Sequence, residues 1–186
     1  MNAMAALALS NGRDVEYAAA LALGLSGGSS RSEALAGDLE KRFPEDTFVK
    51  FTYVPVLRAL SALGRKPADS VERLQMALPY ELALNGLNRS FFLGGLHSAY
   101  VRGEALVAAR RYAEAVAEFQ KILDHRGIVG LDPIGALAHL QLGKAFAFSG
   151  DKAKAKAAYH AFLALWKNAD LNVPILKSAK AEYQRL

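Results

Sequence analysis

The chain has 186 residues, of which 52% are apolar and 22% charged, with a formal charge of +5 and no cysteine. That balance predicts a folded globular chain and excludes a disordered one, while the lack of thiols excludes disulfides, thiolate nucleophiles and cysteine-ligated zinc. Residues 131–186 hold 8 Lys or Arg against 4 Asp or Glu, yet Lys152, Lys154 and Lys156 step around a helix by about 200° each and form no single stripe, so a nucleic-acid partner is disfavoured against a solvated basic surface.

Turn signals cut the sequence into lengths suited to helices, and no stretch keeps the alternation of a strand, so the expected class is all-α. The apolar runs at 3–9 and 18–25 are too short for a membrane span of roughly 18–20 residues, and no membrane insertion is expected. Met1 to Ser10 lacks the basic start of a secretory signal and reads as a helix remnant or an expression start.

A first helix is predicted from Asp14 to Ser26, ended by Gly27-Gly28, and a second from Arg31 to Phe43, capped by Ser29-Ser30 and stopped by Pro44. A third should run from Asp46 to Leu63, with Pro55 inside it removing one backbone donor and kinking it or shifting its start. Pro67 suits the first turn of a fourth, Ala68 to Leu78. Residues 79–95, with three Gly, two Asn and Phe91-Phe92-Leu93, form the longest irregular segment; Phe91 and Phe92 either plug the seam between neighbouring helix pairs or meet a partner.

Two further pairs follow at 97–124 and 132–167, joined by DHRGIVGLDP, which should bulge outward, with Asp132-Pro133 capping the next helix. The last segment, 173–186, places Ile175, Leu176, Ala179, Tyr183 and Leu186 on one face and is expected to cap the preceding pair. The expected organisation is thus a single domain over 1–186, with helix pairs at 13–43, 46–78, 97–124 and 132–167 and a capping helix at 173–186.

The C-terminal half repeats one spacing. Gly143, Phe146, Gly150, Ala155, Tyr159 and Phe162 mark one copy, and Gly103, Leu106, Ala115, Phe119 and Ile122 a second, 40 residues upstream. Degenerate traces occur at Ala20, Leu23, Gly27, Ser32, Ala36 and Leu39, and at Ser70, Leu74 and Ala77. This pattern resembles the tetratricopeptide repeat (TPR), a helix–turn–helix unit of about 34 residues that stacks because it cannot bury its apolar face alone. The resemblance implies a TPR-like right-handed superhelix of about four stacked antiparallel helix pairs with a C-terminal capping helix. In such an array the small residues permit close helix crossing, and function lies on the first helices lining the concave groove. The family's groove-facing spacing selects Asp14, Tyr17, Tyr100, Glu104, Lys144 and Phe148, whose mixed charge and aromatic rings suit a protein or peptide partner.

No catalytic constellation emerges. His97, His125, His139 and His160 lack metal-ligand spacing, and the chain has no GxSxG, P-loop or dinucleotide fingerprint. Asp124-His125-Arg126, with Asp132 nearby, reads more simply as a helix C-terminal cap. No enzymatic activity, cofactor or metal is expected of this chain.

The stretch from AEFQKIL to the C-terminus, RFPEDT at 42–47 and ALPYEL at 77–82 look like the C-terminal TPR tails of bacterial eukaryotic-like serine/threonine protein kinases. The chain departs from that group at His97-Ser98, where Tyr-Pro would stand, and by one extra turn residue near Lys66. The resemblance implies a fragment of a longer signalling protein that recruits partners or substrates. It further implies a cytoplasmic location or the extracytoplasmic part of a membrane-anchored parent. Similar tails on transcriptional regulators, or a free-standing adaptor, are the alternatives; self-association is compatible with a truncated array that exposes an apolar face.

Overall fold

The computed structural model describes residues 3–83, 95–170 and 172–186; Phe91 and Phe92 lie outside the described residues. A short α1 (Ala3–Leu9) precedes the pair α2 (Arg13–Leu25) and α3 (Ser29–Arg42). The second pair is α4 (Val54–Leu63) and α5 (Pro67–Arg73), and the third is α6 (Leu96–Ala108) and α7 (Tyr112–Asp124). A single turn, α8 (Arg126–Val129), leads to the pair α9 (Ile134–Phe148) and α10 (Lys152–Leu165), and α11 (Pro174–Gln184) follows. Among the described residues there is no strand, and no helix is long and apolar enough to cross a membrane.

Each first helix packs on its own second helix, on the second helix of the preceding pair and on the next first helix: α4 touches α5, α3, α2 and α6, and α9 touches α10, α7 and α6. The repeat spacing explains this order. An alanine Cβ at Gly103 would stand 2.5 Å from the Phe119 ring, and one at Gly143 would stand 2.6 Å from the Tyr159 ring. In these two pairs the aromatic side chain of the second helix therefore lies directly on the bare backbone of the first. The traces in the weaker copies sit in the same place: Ser32, Ala36, Leu39, Ser70, Leu74 and Ala77 are all fully buried. At Ser70 the hydroxyl donates to the Ala59 carbonyl at 2.9 Å, so a polar residue is accommodated there.

The turns inside three pairs share one hydrogen-bond scheme. After α2 the Gly28 amide donates to Leu23 O (2.8 Å), after α6 the Arg111 amide to Leu106 O (2.8 Å), and after α9 the Asp151 amide to Phe146 O (2.9 Å). Each needs a left-handed residue just past the helix, supplied by Gly27 (φ 91°), Arg110 (φ 61°) and Gly150 (φ 88°). The middle one lacks the glycine.

Three expectations are corrected. The third helix begins at Thr47, where Asp46 Oδ1 accepts from the amides of Phe48 and Val49 at 3.0 Å each. It absorbs Pro55 through a π-helical turn, Val49–Tyr53, in which the Val54 amide reaches back to Val49 O. A proline has no N–H and crowds the carbonyl four residues earlier, and widening the helix by one residue relieves both. The fourth helix leaves α geometry at Leu74 and continues as a 3-10 stretch to Tyr80 containing Pro79, which has no N–H to return to the Gln75 carbonyl and crowds it in α geometry. The connection between the last two pairs folds back instead of bulging throughout: α8 forms within it and Val129 is buried, while Leu131 stands in solvent.

Asp132 Oδ1 accepts from the Ile134 amide at 3.0 Å and so starts α9. At the C-terminal end Leu176 and Ala179 of α11 join Leu140, Tyr159 and Phe162 in a core of their own, and the Tyr159 hydroxyl donates to Glu182 Oε2 at 2.7 Å.

Candidate interaction groove

The C-terminal halves of α2, α4, α6 and α9 line up side by side, and the end of α11 closes one side. Between them runs a groove of about 680 Å³. Leu60 and Leu63 of α4 and Val107 of α6 form its apolar floor, and Glu104, Lys144, Phe148, Glu182 and Arg185 supply polar and aromatic groups. Positions 104, 107 and 108 of α6, like 141, 144 and 148 of α9, recur at helical spacing, so one face of each helix is committed to this surface.

Glu104 is the most constrained of these groups. Gln141 donates from Nε2 to Glu104 Oε1 (2.8 Å) and to the Tyr100 hydroxyl (3.1 Å), tying α9 to α6 beneath the groove. Burial pushes the Glu104 carboxyl up to about 7, against the opposing pull of Tyr100 and the Lys144 charge. Tyr100 is raised above its ordinary value by burial first and the Glu104 charge second. Near neutral pH, Glu104 can therefore present either a carboxylate or a hydrogen-bond donor. Lys144 Nζ stands 4.0 Å from Glu182 Oε1, across the joint between α9 and α11. Phe148 is 61% exposed and rests one face on Tyr112, with ring centroids 5.7 Å apart.

No protein-family model, no curated protein and no solved structure matches the chain. The arrangement of the groove is therefore read from its own residues.

Of the six residues selected from the sequence, the fold brings Glu104, Lys144 and Phe148 together in the groove. Tyr100 lies buried just beneath, within reach through Gln141. Asp14 and Tyr17 are placed elsewhere. Tyr17 is fully buried and stacks on Tyr53, with centroids 3.8 Å apart and planes within 4°, while the His97 ring meets its edge at 6.2 Å. Asp14 pairs with Arg13 at 2.8 Å and accepts from the Tyr53 hydroxyl at 3.0 Å. The reason is positional: α2 reaches the groove only at Gly24 and Leu25, near its C-terminal end, and its N-terminal half belongs to the core.

Asp124 and His125 close α7, as the helix C-terminal cap expected there. His125 ends α7 with Nδ1 2.7 Å from Lys121 O, and Gln120 donates to Asp124 Oδ1 at 2.8 Å. Asp132 turns inward to His97, Oδ2 to Nε2 at 3.0 Å. Among the described residues no group of three or more His, Asp or Glu is placed to hold a metal.

Sequence reasoning missed Gln141, Glu182 and Arg185 in the groove, and it missed a buried charge network behind it. Arg102 of α6 meets Glu81 at 2.7 Å and Glu118 at 2.5 Å and donates to Leu74 O at 3.2 Å. Lys121 reaches the same two carboxylates at 3.0 and 3.3 Å. The Ser98 hydroxyl donates to Glu81 Oε1 at 2.8 Å, which ties the first turn of α6 to the same carboxylate. The signals present were an arginine on the buried face of α6, and Glu118 and Lys121 one turn apart.

Proposed function

We propose that this chain is a non-catalytic protein–protein interaction scaffold: a TPR-like right-handed superhelix of about four helix pairs, ended by α11, that takes a segment of a partner protein in its groove. The observation that carries this reading is the convergence of Glu104, Lys144 and the exposed ring of Phe148 on one concavity built from the first helices of successive pairs. Charged groups there fix register and an unburied aromatic ring offers an anchor, the combination that concentrates binding energy in peptide grooves. The likeness of the sequence to the tails of bacterial signalling kinases extends the proposal. The scaffold would recruit substrates or partners for a kinase domain elsewhere in a longer cytoplasmic protein.

The test is capture from an extract of the native cell on the wild-type chain and on the triple variant Glu104→Ala/Lys144→Ala/Phe148→Ala. A protein held by the wild type and weakened about tenfold or more in the folded variant supports the groove, that factor being worth about 1.4 kcal/mol. Equal retention on both chains overturns it.

A further inference from the structure

A second concavity, of about 690 Å³, opens on the opposite side of α4 from the groove. Leu60 and Leu63 face the groove, whereas Arg58, Ser61 and Ala62, with Arg65 in the turn that follows, face this pocket. Arg73 at the end of α5 and Ser29 and Ser30 at the start of α3 complete the wall. Three arginines and three serines thus surround one space, and among the described residues the only carboxylate lining it is Glu33.

The arginines are not equivalent. Arg58 is held by Glu40 at 2.7 and 3.1 Å and lies 3.6 Å from Glu33, so its charge is answered within the fold. Arg65 and Arg73 form no ion pair or side-chain hydrogen bond among the described residues. Both stand exposed on the wall of one concavity, where two guanidinium charges without a partner among the described residues favour an anion. The first turn of α3 adds to the same field: its N-cap is Gly28, without a capping side chain, and it contains no acidic residue. Ser29 and Ser30 supply hydroxyl donors, where a phosphoryl group presents three acceptor oxygens and close to two negative charges.

We propose that this pocket binds a phosphate monoester, with Arg65 and Arg73 clamping the phosphoryl oxygens and Ser29 and Ser30 donating to them. Its volume exceeds that of the phosphoryl group alone and leaves room for the esterified portion. The site is independent of the groove: either can exist without the other.

The experiment is an NMR titration of the full chain, following the Ser29 and Ser30 amides at constant ionic strength. Three probes are used: inorganic phosphate, phenyl phosphate, and a short peptide carrying one phosphoserine, with its unphosphorylated form as control. Saturable shifts of both amides with the phosphorylated probes, absent with the control peptide, are expected. Tighter binding of the phosphopeptide than of phenyl phosphate assigns the ester to a modified protein, and equal binding assigns it to a small molecule. Arg65→Ala/Arg73→Ala should weaken binding about tenfold or more, because charge-assisted hydrogen bonds are lost. Arg31→Ala, an exposed arginine outside the pocket wall, should leave it unchanged. No saturable shift with any phosphorylated probe, or a folded double variant that binds like the wild type, overturns the proposal.

Discussion

Arg102 and Glu81, each only 2% exposed, face one another across 2.7 Å. Glu118 and Lys121 complete the charge balance around them, and the Leu74 carbonyl takes a further guanidinium hydrogen. Removing Arg102 leaves Glu81 buried with, among the described residues, only Lys121 and the Ser98 hydroxyl to answer its charge. Arg102→Ala is expected to cost about 3–5 kcal/mol, because Glu81 would be left buried with its main partner gone. Urea unfolding checks this; a loss under about 1 kcal/mol would mean that water reaches Glu81.

The contact between Gly103 and Phe119 predicts a coupled pair of substitutions. Gly103→Ala drives a methyl into the ring and should cost about 1–3 kcal/mol. Phe119→Ala empties the space and should cost about 3–5 kcal/mol. Combined as Gly103→Ala/Phe119→Ala, the emptied space admits the new methyl, and the double variant should lose less stability than the sum of its single changes. Thermal unfolding of the set measures that coupling, and strict additivity would contradict the contact.

Arg110 occupies the left-handed turn position that Gly27 and Gly150 fill in sister pairs. A side chain there crowds the backbone by about 1–2 kcal/mol, offset partly by the greater freedom that glycine has when unfolded. Arg110→Gly should therefore stabilise the chain by about 1 kcal/mol, or roughly 2–4 °C in Tm. Lys or Ala at the same position should give no gain. A fall in Tm for the glycine variant would show that the turn is not under strain.

Glu104 links the groove to pH. Its carboxyl is raised by burial from 4.5 to about 7, so the folded chain holds a proton there that the unfolded chain releases near 4.5. Its stabilising contribution is complete below about 4.5 and is lost as pH rises through about 7. Glu104→Gln keeps a neutral side chain at every pH and should remove this dependence, gaining stability relative to wild type at pH 8 but not at pH 4. Glu16 is also raised to about 7, by burial and by Asp38, but it is common to both proteins and cancels in the difference. Urea midpoints of the two proteins at both pH values provide the measurement, and parallel pH profiles would contradict the assignment.

Much of the architecture could be read along the chain because it is local. A small residue followed twelve and sixteen positions later by Ala and an aromatic ring describes two helices and one short turn, and that turn folds the second helix back onto the first, with each helix's period setting which residues face inward. The repeat positions Gly103, Phe119, Gly143 and Tyr159 were legible for that reason, as were the turn at Gly150 and the cap at Asp132, whereas the direct contact of each glycine with its ring came from the structure. The groove-facing spacing implied by the TPR resemblance chose Glu104, Lys144 and Phe148, which share one surface, but also Asp14 and Tyr17, which lie elsewhere.

What the face of a helix meets was decided only by tertiary structure. Tyr17 lies on Tyr53 and His97, Arg102 on Glu81, and Glu104 on Gln141, each pair brought together from separate repeat units. No periodicity within one segment encodes such a meeting, because it depends on the rotation and offset between neighbouring pairs. The same offset sets burial, and burial sets whether a tyrosine becomes core, an arginine becomes part of a charge network, or a glutamate holds its proton near pH 7. The sequence by itself determined which residues turn toward a neighbour; the stacking of the pairs determined which neighbour, and through it the chemistry of the groove.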